Sequence, residues 1–192
     1  MEWKEFGNVV ALIVDMQVGV FANPRHDRAG VVERINALTA AVRGHGGRVV
    51  FIRHTDAADG LAEGSEAWQL LPELVLSAAD RCVEKSACDA FLNTPLADVL
   101  GNEALDALII AGCASDFCVD TTVRTAAALG YPVRIASDAH TTADRPHLDA
   151  LTIIRHHNYV WENLIVPGNP VRLASTAELC AMLARQAASA AR

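Results

Sequence analysis

Three side chains that could take part in nucleophilic chemistry each follow an apolar segment of the chain. Asp15 comes directly after residues 9–14, Lys85 after a weaker apolar run, and Cys118 shortly after a third. A thiol can attack a carbonyl carbon, a carboxylate can take the thiol proton, and an ammonium can stabilise the charge that develops. Together the three residue types indicate catalysis through sulfur.

Each of these residues also has a purely structural interpretation, in which Asp15 caps a loop, Lys85 is a solvated charge and Cys118 is an inert buried thiol. The position of Cys118 favours catalysis. If Ser115 caps the following helix, Cys118 lies in its first turn, where free N–H groups and the helix dipole favour a thiolate. Its thiol is therefore predicted to be the most reactive among Cys82, Cys88, Cys113, Cys118 and Cys180.

The elements that must position these residues alternate between strands and helices, as in a parallel sheet covered on both faces. Strands are predicted at residues 9–14, 48–53, 81–84, 107–111, 133–137 and 171–174. Helices are predicted at residues 30–45, 115–129 and 146–157, after a cap at Thr94 and after a capping box from Ser175 to Glu178. Ligands bind beyond the carboxyl ends of such strands, where Asp15, Lys85 and Cys118 are expected.

Composition narrows the partners and the cellular setting. The chain has 192 residues, 52% of them hydrophobic, which fits one domain over residues 1–192. A formal net charge of −7 leaves no basic excess for nucleic acid. Five cysteines do not suggest a disulfide framework, residues 1–5 do not resemble a leader, and no apolar run is long enough for a membrane span. A cytoplasmic protein without membrane contact is expected.

Three sequence blocks resemble the signature blocks of the isochorismatase-like cysteine hydrolases. They are residues 11–17 (Ala-Leu-Ile-Val-Asp-Met-Gln), 84–91 (Glu-Lys-Ser-Ala-Cys-Asp-Ala-Phe) and 112–124 (Gly-Cys-Ala-Ser-Asp-Phe-Cys-Val-Asp-Thr-Thr-Val-Arg). Their order and separation are similar to those of the family, and residues 138–142 and 156–158 resemble its later blocks. The resemblance extends from about residue 9 to about residue 183.

The resemblance implies a three-layer α/β/α, Rossmann-like fold with a six-stranded parallel β-sheet. It implies that Asp15 is the proton acceptor, Lys85 the electrostatic partner and Cys118 the nucleophile. It further implies a cis peptide between Cys113 and Ala114, and an oxyanion hole formed by the N–H groups of Ala114 and Cys118. Members of the family commonly assemble, so a homo-oligomer, a dimer or a tetramer, is expected.

The substrate expected from the resemblance is a small amide, because the cysteine is typical of the amidase branch. Nicotinamidases of the family carry an Asp-x-His metal motif after the second strand, whereas residues 53–56 read Arg-His-Thr-Asp. We expect no metal and no other cofactor, and we interpret His54 and Asp56 as a polar strand end. No residue selects among the nicotinamide, carbamoyl, ureidoacrylate, biuret-like and streptothricin-type substrates of the branch.

Residues near the ends of the predicted strands, and in the loop at residues 55–72, are candidates for the substrate pocket. Trp68 belongs to that loop and has the alternative of covering the core, while His140 lies just beyond the fifth strand. The candidate pocket residues are Gln17, Phe21, His54, Trp68 and His140.

Three other functions are compatible with parts of the pattern. A nucleotide-dependent oxidoreductase is disfavoured because residues 15–21 lack the Gly-x-Gly-x-x-Gly turn. A non-catalytic binding protein on the same fold is disfavoured by the complete set of Asp15, Lys85 and Cys118. Hydrolysis of a vinyl ether, as in isochorismate, stays open as the alternative to amide hydrolysis; there Asp15 would protonate the substrate and water would add.

Overall fold

The computed structural model describes residues 7–101 and 103–190, with side chains described as far as residue 185. The expectation about a leader at residues 1–5 lies outside the described residues. Six strands form one sheet in the order β3-β2-β1-β4-β5-β6, and all neighbouring pairs are parallel. The strands are β1 (Val9–Val14), β2 (Arg48–His54), β3 (Arg81–Lys85), β4 (Ala107–Cys113), β5 (Val133–Thr141) and β6 (Arg172–Ala174).

Helices cover both faces of this sheet. The helices are α1 (Arg28–Gly44), α2 (Leu96–Leu100), α3 (Asp120–Ala128), α4 (Ala150–Glu162) and α5 (Thr176–Ala190). Buried side chains of α1 and α5 share one apolar core with one face of the sheet, and those of α2, α3 and α4 share a second core with the other face. The predicted three-layer α/β fold with a six-stranded parallel sheet is confirmed.

Strand β1 lies at the centre of the sheet, and all six of its residues are fully buried. Alternate side chains point to opposite faces of a strand, so Ala11 packs in the core beneath α1 and Leu12 in the core beneath α3. Burial of such aliphatic side chains stabilises the fold by roughly 1.5–3 kcal/mol each. The strand is therefore a rigid support for Asp15, which follows it.

Helix α4 begins at Ala150, four residues later than the predicted start at residue 146. Asp149 caps it, because its side chain accepts a hydrogen bond from the Thr152 N–H at 2.9 Å. Asp144 accepts the N–H of Ala150 at 2.8 Å, which holds the preceding segment in a turn. The start at residue 146 was wrong because proline at a helix start is a weaker signal than this aspartate cap.

The helix predicted at residues 115–129 is in fact two pieces. It opens with a π-helical turn, Ser115–Val119, and continues as α3. Ala114, not Ser115, occupies the cap position, and no side chain caps the turn.

The predicted capping box at the start of α5 is confirmed. The Ser175 N–H donates to Oε2 of Glu178 at 2.8 Å, and the Glu178 N–H donates back to Oγ of Ser175 at 3.3 Å.

The strand order reverses at β1, which has β2 on one side and β4 on the other. Such a reversal opens a crevice beyond the carboxyl ends of the strands, and that is where open α/β sheets bind ligands. The segments that follow β1, β3 and β4 meet at this edge. Within the described part of the chain, no helix is both long enough and apolar enough to cross a membrane.

Candidate active site

Asp15 lies at the carboxyl end of the central strand, in a backbone conformation that is unusual for a residue with a side chain. Its φ of 49° falls in the left-handed region, and its N–H donates to the Ile52 carbonyl at 3.0 Å. Backbone strain of this kind is typical of functional sites. The carboxyl group is buried, and among the described residues its Oδ1 atom has no hydrogen-bond partner. This oxygen is available to accept a proton.

Lys85, the last residue of β3, joins the predicted catalytic residues. Its Nζ atom lies 2.7 Å from Oδ2 of Asp15 and 3.3 Å from Sγ of Cys118. The same atom lies 3.0 Å from the Ala87 carbonyl oxygen and 3.2 Å from Nδ1 of His54. The ammonium group has three N–H donors and accepts no hydrogen bond, so its four neighbours act as acceptors that share these three protons. The structure thus brings Asp15, Lys85 and Cys118 together as the sequence predicts.

Cys118 is held close to β1 by the tight path of the chain after β4. The peptide between Cys113 and Ala114 is cis, as the resemblance implied, and Gly112 has a φ of 120°. A Cβ atom at Gly112 would lie 2.2 Å from the Val14 carbonyl oxygen, so only glycine fits this close approach. Cys118 is the fourth residue of the π-helical turn, and the first N–H groups of a helix have no partner within it.

The protonation state of Cys118 differs from the sequence prediction. Burial raises the pKa of the thiol, the negative charge of Asp15 raises it further, and the attraction of Lys85 does not compensate. Burial also raises the pKa of Asp15 against the lowering effect of Lys85. For Lys85, burial lowers the pKa, but Asp15 and Cys118 outweigh it and the net pKa is raised. The raised pKa favours a neutral thiol at rest, whereas the position in the helix's first turn favoured a thiolate.

His140 lies behind the π-helical turn and not in an open pocket. Its Nε2 atom lies 2.9 Å from Oδ1 of Asn158, whose Nδ2 atom donates to the Ser137 carbonyl at 2.9 Å. Oδ1 is therefore the acceptor, Nε2 carries the proton, and Nδ1 accepts from Oγ of Ser115 at 2.8 Å. Burial lowers the pKa of His140 to about 4, so the ring is neutral. His140 positions the turn, and its predicted contact with substrate stays a prediction.

Gln17 is fully buried, and its side chain is occupied by backbone groups of the site. Its Nε2 atom donates to the carbonyl oxygens of His54 and Trp68, both at 2.9 Å, and its Oε1 accepts the His54 N–H at 2.7 Å. Both of its amide protons are used within the protein. Gln17 therefore holds His54 in place, and its predicted contact with substrate stays a prediction.

The two predicted aromatic pocket residues, Phe21 and Trp68, are each only 6% exposed. The guanidinium of Arg53 lies 3.5 Å from the centre of the Trp68 ring, and Nε1 of Trp68 donates to Oγ1 of Thr55 at 2.8 Å. Phe21 packs in the core beneath α1. Trp68 is thus buried against Arg53 and Thr55, and contact of either aromatic ring with substrate stays a prediction.

His54 and Asp56 do not converge on a common point. The His54 ring faces the ammonium of Lys85, whereas Oδ1 of Asp56 accepts the N–H of Ala58 at 2.9 Å. Over residues 7–101 and 103–190, no group of three histidine, cysteine or acidic side chains is arranged to hold a metal ion.

An ion pair that the sequence did not reveal supports the turn before Cys118. Nε of Arg145 lies 2.8 Å from Oδ2 of Asp116, and Thr142 donates to Oδ1 of the same carboxylate at 2.6 Å. The guanidinium also lies 4.9 Å from the centre of the Phe117 ring. Nothing in the sequence indicates that Asp116 pairs with Arg145, because the two residues are far apart along the chain. Asp116 and Thr142 do both lie within sequence blocks that resemble the family.

Comparisons with known proteins show the family of this chain. The Isochorismatase domain model matches residues 9–161. A streptothricin hydrolase of Streptomyces noursei is 33% identical over 141 residues, which are 70% of this chain and 55% of that protein. A second streptothricin hydrolase of the same organism is also 33% identical, with 50% of its length covered. The chain therefore spans about half the length of these two relatives.

Other relatives match over most of their length. The uncharacterized isochorismatase family protein YecD of Escherichia coli O157:H7 is 30% identical, with 69% of this chain and 79% of that protein covered. A crystal structure of an isochorismatase family protein has a TM-score of 0.79 and 32% identity, covering 87% of this chain and 98% of that chain. From the domain match and these similarities, the chain belongs to the isochorismatase family of hydrolases.

Proposed function

We propose that this protein hydrolyses the C–N bond of a small amide, with Cys118 as nucleophile, Asp15 as proton acceptor and Lys85 as electrostatic partner. The observation that carries the proposal is the position of the Lys85 ammonium, 2.7 Å from the Asp15 carboxylate and 3.3 Å from the Cys118 sulfur. The match to the Isochorismatase domain and the similarity to streptothricin hydrolases support it.

In the first step, the neutral thiol of Cys118 attacks the amide carbonyl carbon while Asp15 accepts its proton. The unpartnered Oδ1 of Asp15 suits this task, and its raised pKa makes the carboxylate a stronger base. The S–C bond forms and the carbonyl π electrons move to oxygen. We assign the N–H groups of Ala114 and Cys118 to this oxyanion, as the family resemblance implies; Ala114 caps the π-helical turn and Cys118 is its fourth residue.

In the second step, Asp15 gives its proton to the leaving nitrogen, the C–N bond breaks, and the acyl group stays on Cys118 as a thioester. Water then attacks the thioester, Asp15 takes a proton from the water, and the thiol is regenerated as the acid leaves. Lys85 holds the Asp15 carboxylate in place and stabilises negative charge on sulfur when the thioester breaks. No step requires a group from outside the chain other than water and substrate.

Vinyl-ether hydrolysis is the second candidate, and one observation favours it. Burial raises the pKa of Asp15, which also suits a carboxylic acid that protonates a substrate. In that scheme the protonated vinyl ether adds water, and the neutral thiol of Cys118 only lines the site. The two schemes differ in whether sulfur forms a bond with the substrate.

We further propose a cytoplasmic homo-oligomer, with residues 1–192 as one domain, that acts on a small molecule and not on nucleic acid. All five cysteines are free, and Cys82 and Cys88 are exposed, which fits a reducing compartment. The formal net charge of −7 supports the absence of a nucleic-acid surface.

A panel of small amides, assayed for release of ammonia or amine, tests the proposed activity. The purified chain should release the amine from at least one amide, and Cys118→Ser should lose that activity. Cys88→Ser, which removes an exposed thiol outside the catalytic set, is the matched control and should keep it. Amine release that survives in Cys118→Ser would contradict the proposal.

A further inference from the structure

The side chain of His54 is fixed beside the catalytic set. His54 is the last residue of β2 and is paired in register with Lys85 on β3. Its backbone N–H and carbonyl are both held by the buried amide of Gln17, at 2.7 and 2.9 Å. Because the backbone is held on both sides and the ring contacts Lys85, the imidazole has a defined position before any substrate binds.

The contact with Lys85 determines which ring nitrogen of His54 carries the proton. Nζ of Lys85 lies 3.2 Å from Nδ1, and an ammonium can only donate, so Nδ1 must be the acceptor. Burial and the positive charge of Lys85 lower the pKa of His54, whereas the acidic groups of Asp15, Asp56 and Asp59 act in the opposite direction. The ring is neutral at pH 7, and its proton is therefore on Nε2.

The Nε2–H group of His54 is a donor without a protein partner. The ring is half-buried, and no described residue accepts a hydrogen bond from Nε2. The Lys85 ammonium beside it is also only a donor. The three protons of Lys85 are taken up by its protein neighbours, so among the described residues the donor available on this side of the site is the Nε2–H of His54. It complements a substrate that presents an acceptor oxygen.

We propose that His54 is a specificity-determining residue whose Nε2–H donates to an acceptor oxygen of the substrate other than the oxygen of the scissile carbonyl. The inference rests on the proposed amidase function and narrows it to small amides that carry a second carbonyl or similar acceptor. A site with a fixed donor rejects analogues that lack the acceptor, because the donor then loses water without gaining a partner.

Two conservative variants separate this role from an effect on Lys85. The side-chain oxygen of asparagine can replace Nδ1 as the acceptor for Lys85, but asparagine has no group at the position of Nε2. The side-chain nitrogen of glutamine can replace the Nε2–H donor, but glutamine loses the acceptor for Lys85. His54→Asn thus removes the contact to substrate, and His54→Gln removes the contact to the ammonium.

Malonamide and butanamide are a pair of probes that differ in one group, since malonamide has a second carboxamide, with its acceptor carbonyl, where butanamide has an ethyl group. The unsubstituted protein should have a kcat/KM about tenfold higher for malonamide than for butanamide, which corresponds to one additional hydrogen bond. His54→Asn should lose this preference, mainly through a higher KM for malonamide, and His54→Gln should keep it. A preference that persists in His54→Asn and disappears in His54→Gln would overturn the proposal in favour of a role through Lys85.

The tautomer of His54 provides a test that needs no substrate. Long-range ¹⁵N–¹H NMR of the labelled chain should show the proton on Nε2 of His54, with the signal assigned by its loss in His54→Gln. A proton on Nδ1 would overturn the inference. If no amide in the panel, malonamide included, is turned over while Nε2 carries the proton, the proposed amidase function fails and the donor geometry of His54 stands.

Discussion

The sulfur of Cys118 lies 3.3 Å from the ammonium of Lys85, yet the pKa of the thiol is raised. Burial and the charge of Asp15 disfavour the thiolate more than the neighbouring cation favours it. The thiol consequently keeps its proton until a carbonyl carbon is within reach and Asp15 accepts that proton. In this account, the sulfur is activated by the carboxylate of Asp15 and not by the helix terminus or by Lys85.

The acid limb of kcat/KM is expected above the ordinary range of an aspartate. Asp15 must be unprotonated to act as a base, and burial raises its pKa above 3.8. As the pH falls, Asp15 is therefore protonated, and activity is lost, at a higher pH than for an ordinary aspartate. Lys85→Met removes an attraction that lowers this pKa, so it should move the limb to higher pH as well as reduce the rate. A pH profile of both proteins measures the shift. An acid limb at the same pH in the parent protein and in Lys85→Met would contradict the role of Asp15 as base. Activity that falls as Asp15 ionises would contradict it as well.

Alkylation should reveal the neutral state of Cys118. A limiting amount of iodoacetamide at pH 7 should modify the exposed thiol of Cys88 faster than that of Cys118, which is partly buried and has a raised pKa. Mass-spectrometric peptide mapping over time gives both rates, with Cys88→Ser as the control for assignment. This expectation reverses the prediction from the sequence. Selective labelling of Cys118 would show that a thiolate is present at rest.

His140 should make stability depend on pH. Its folded pKa is about 4, below its ordinary value of 6.5, so between these values the unfolded chain binds the proton more readily. Stability is therefore complete above pH 6.5 and falls as pH decreases toward 4, by about 2 kcal/mol between pH 7 and pH 5. Urea denaturation of the original chain and of His140→Gln at both pH values isolates this contribution. An equal pH dependence in both proteins would contradict it.

Turnover should not depend on a metal ion. At the end of β2, His54 faces an ammonium, and Asp56 accepts a hydrogen bond from a backbone N–H, so the two side chains do not form a ligand set. Prolonged dialysis against a chelator should leave the activity nearly unchanged. Loss of activity that is restored by zinc, manganese or iron would refute the expectation.

The fold, and the edge of the sheet at which the three candidate residues lie, could be predicted from local patterns, whereas their catalytic roles came from the family resemblance and stay a proposal. The apolar run before Asp15 indicates a buried parallel strand, and the residue after such a strand must lie at the sheet edge that binds ligands. The same reasoning applies to Lys85 and Cys118. The distances between Asp15, Lys85 and Cys118 could not be predicted, but their location at the same edge of the sheet could.

The supporting residues could not be predicted in the same way, because their roles depend on contacts between distant segments. Nothing in the sequence pairs Ser115 with His140, or His54 with Lys85, since the first pair depends on the packing of the turn and the second on strand register. The raised pKa of Cys118 could not be predicted for a similar reason. The helix terminus is a local feature, whereas burial and the charge of Asp15 come from the folded chain.

Covalent capture of the substrate tests the central claim most directly. If Cys118 is the nucleophile, rapid acid quench during turnover of the best amide should give an intact mass increased by the acyl group, mapped to Cys118. Cys118→Ala should give no adduct and should lose turnover by at least about 10³-fold. Its far-ultraviolet circular dichroism should match the parent, since the substitution removes one sulfur atom. A Cys118→Ala variant that stays nearly active, with no adduct in the parent, would contradict the account and favour vinyl-ether hydrolysis.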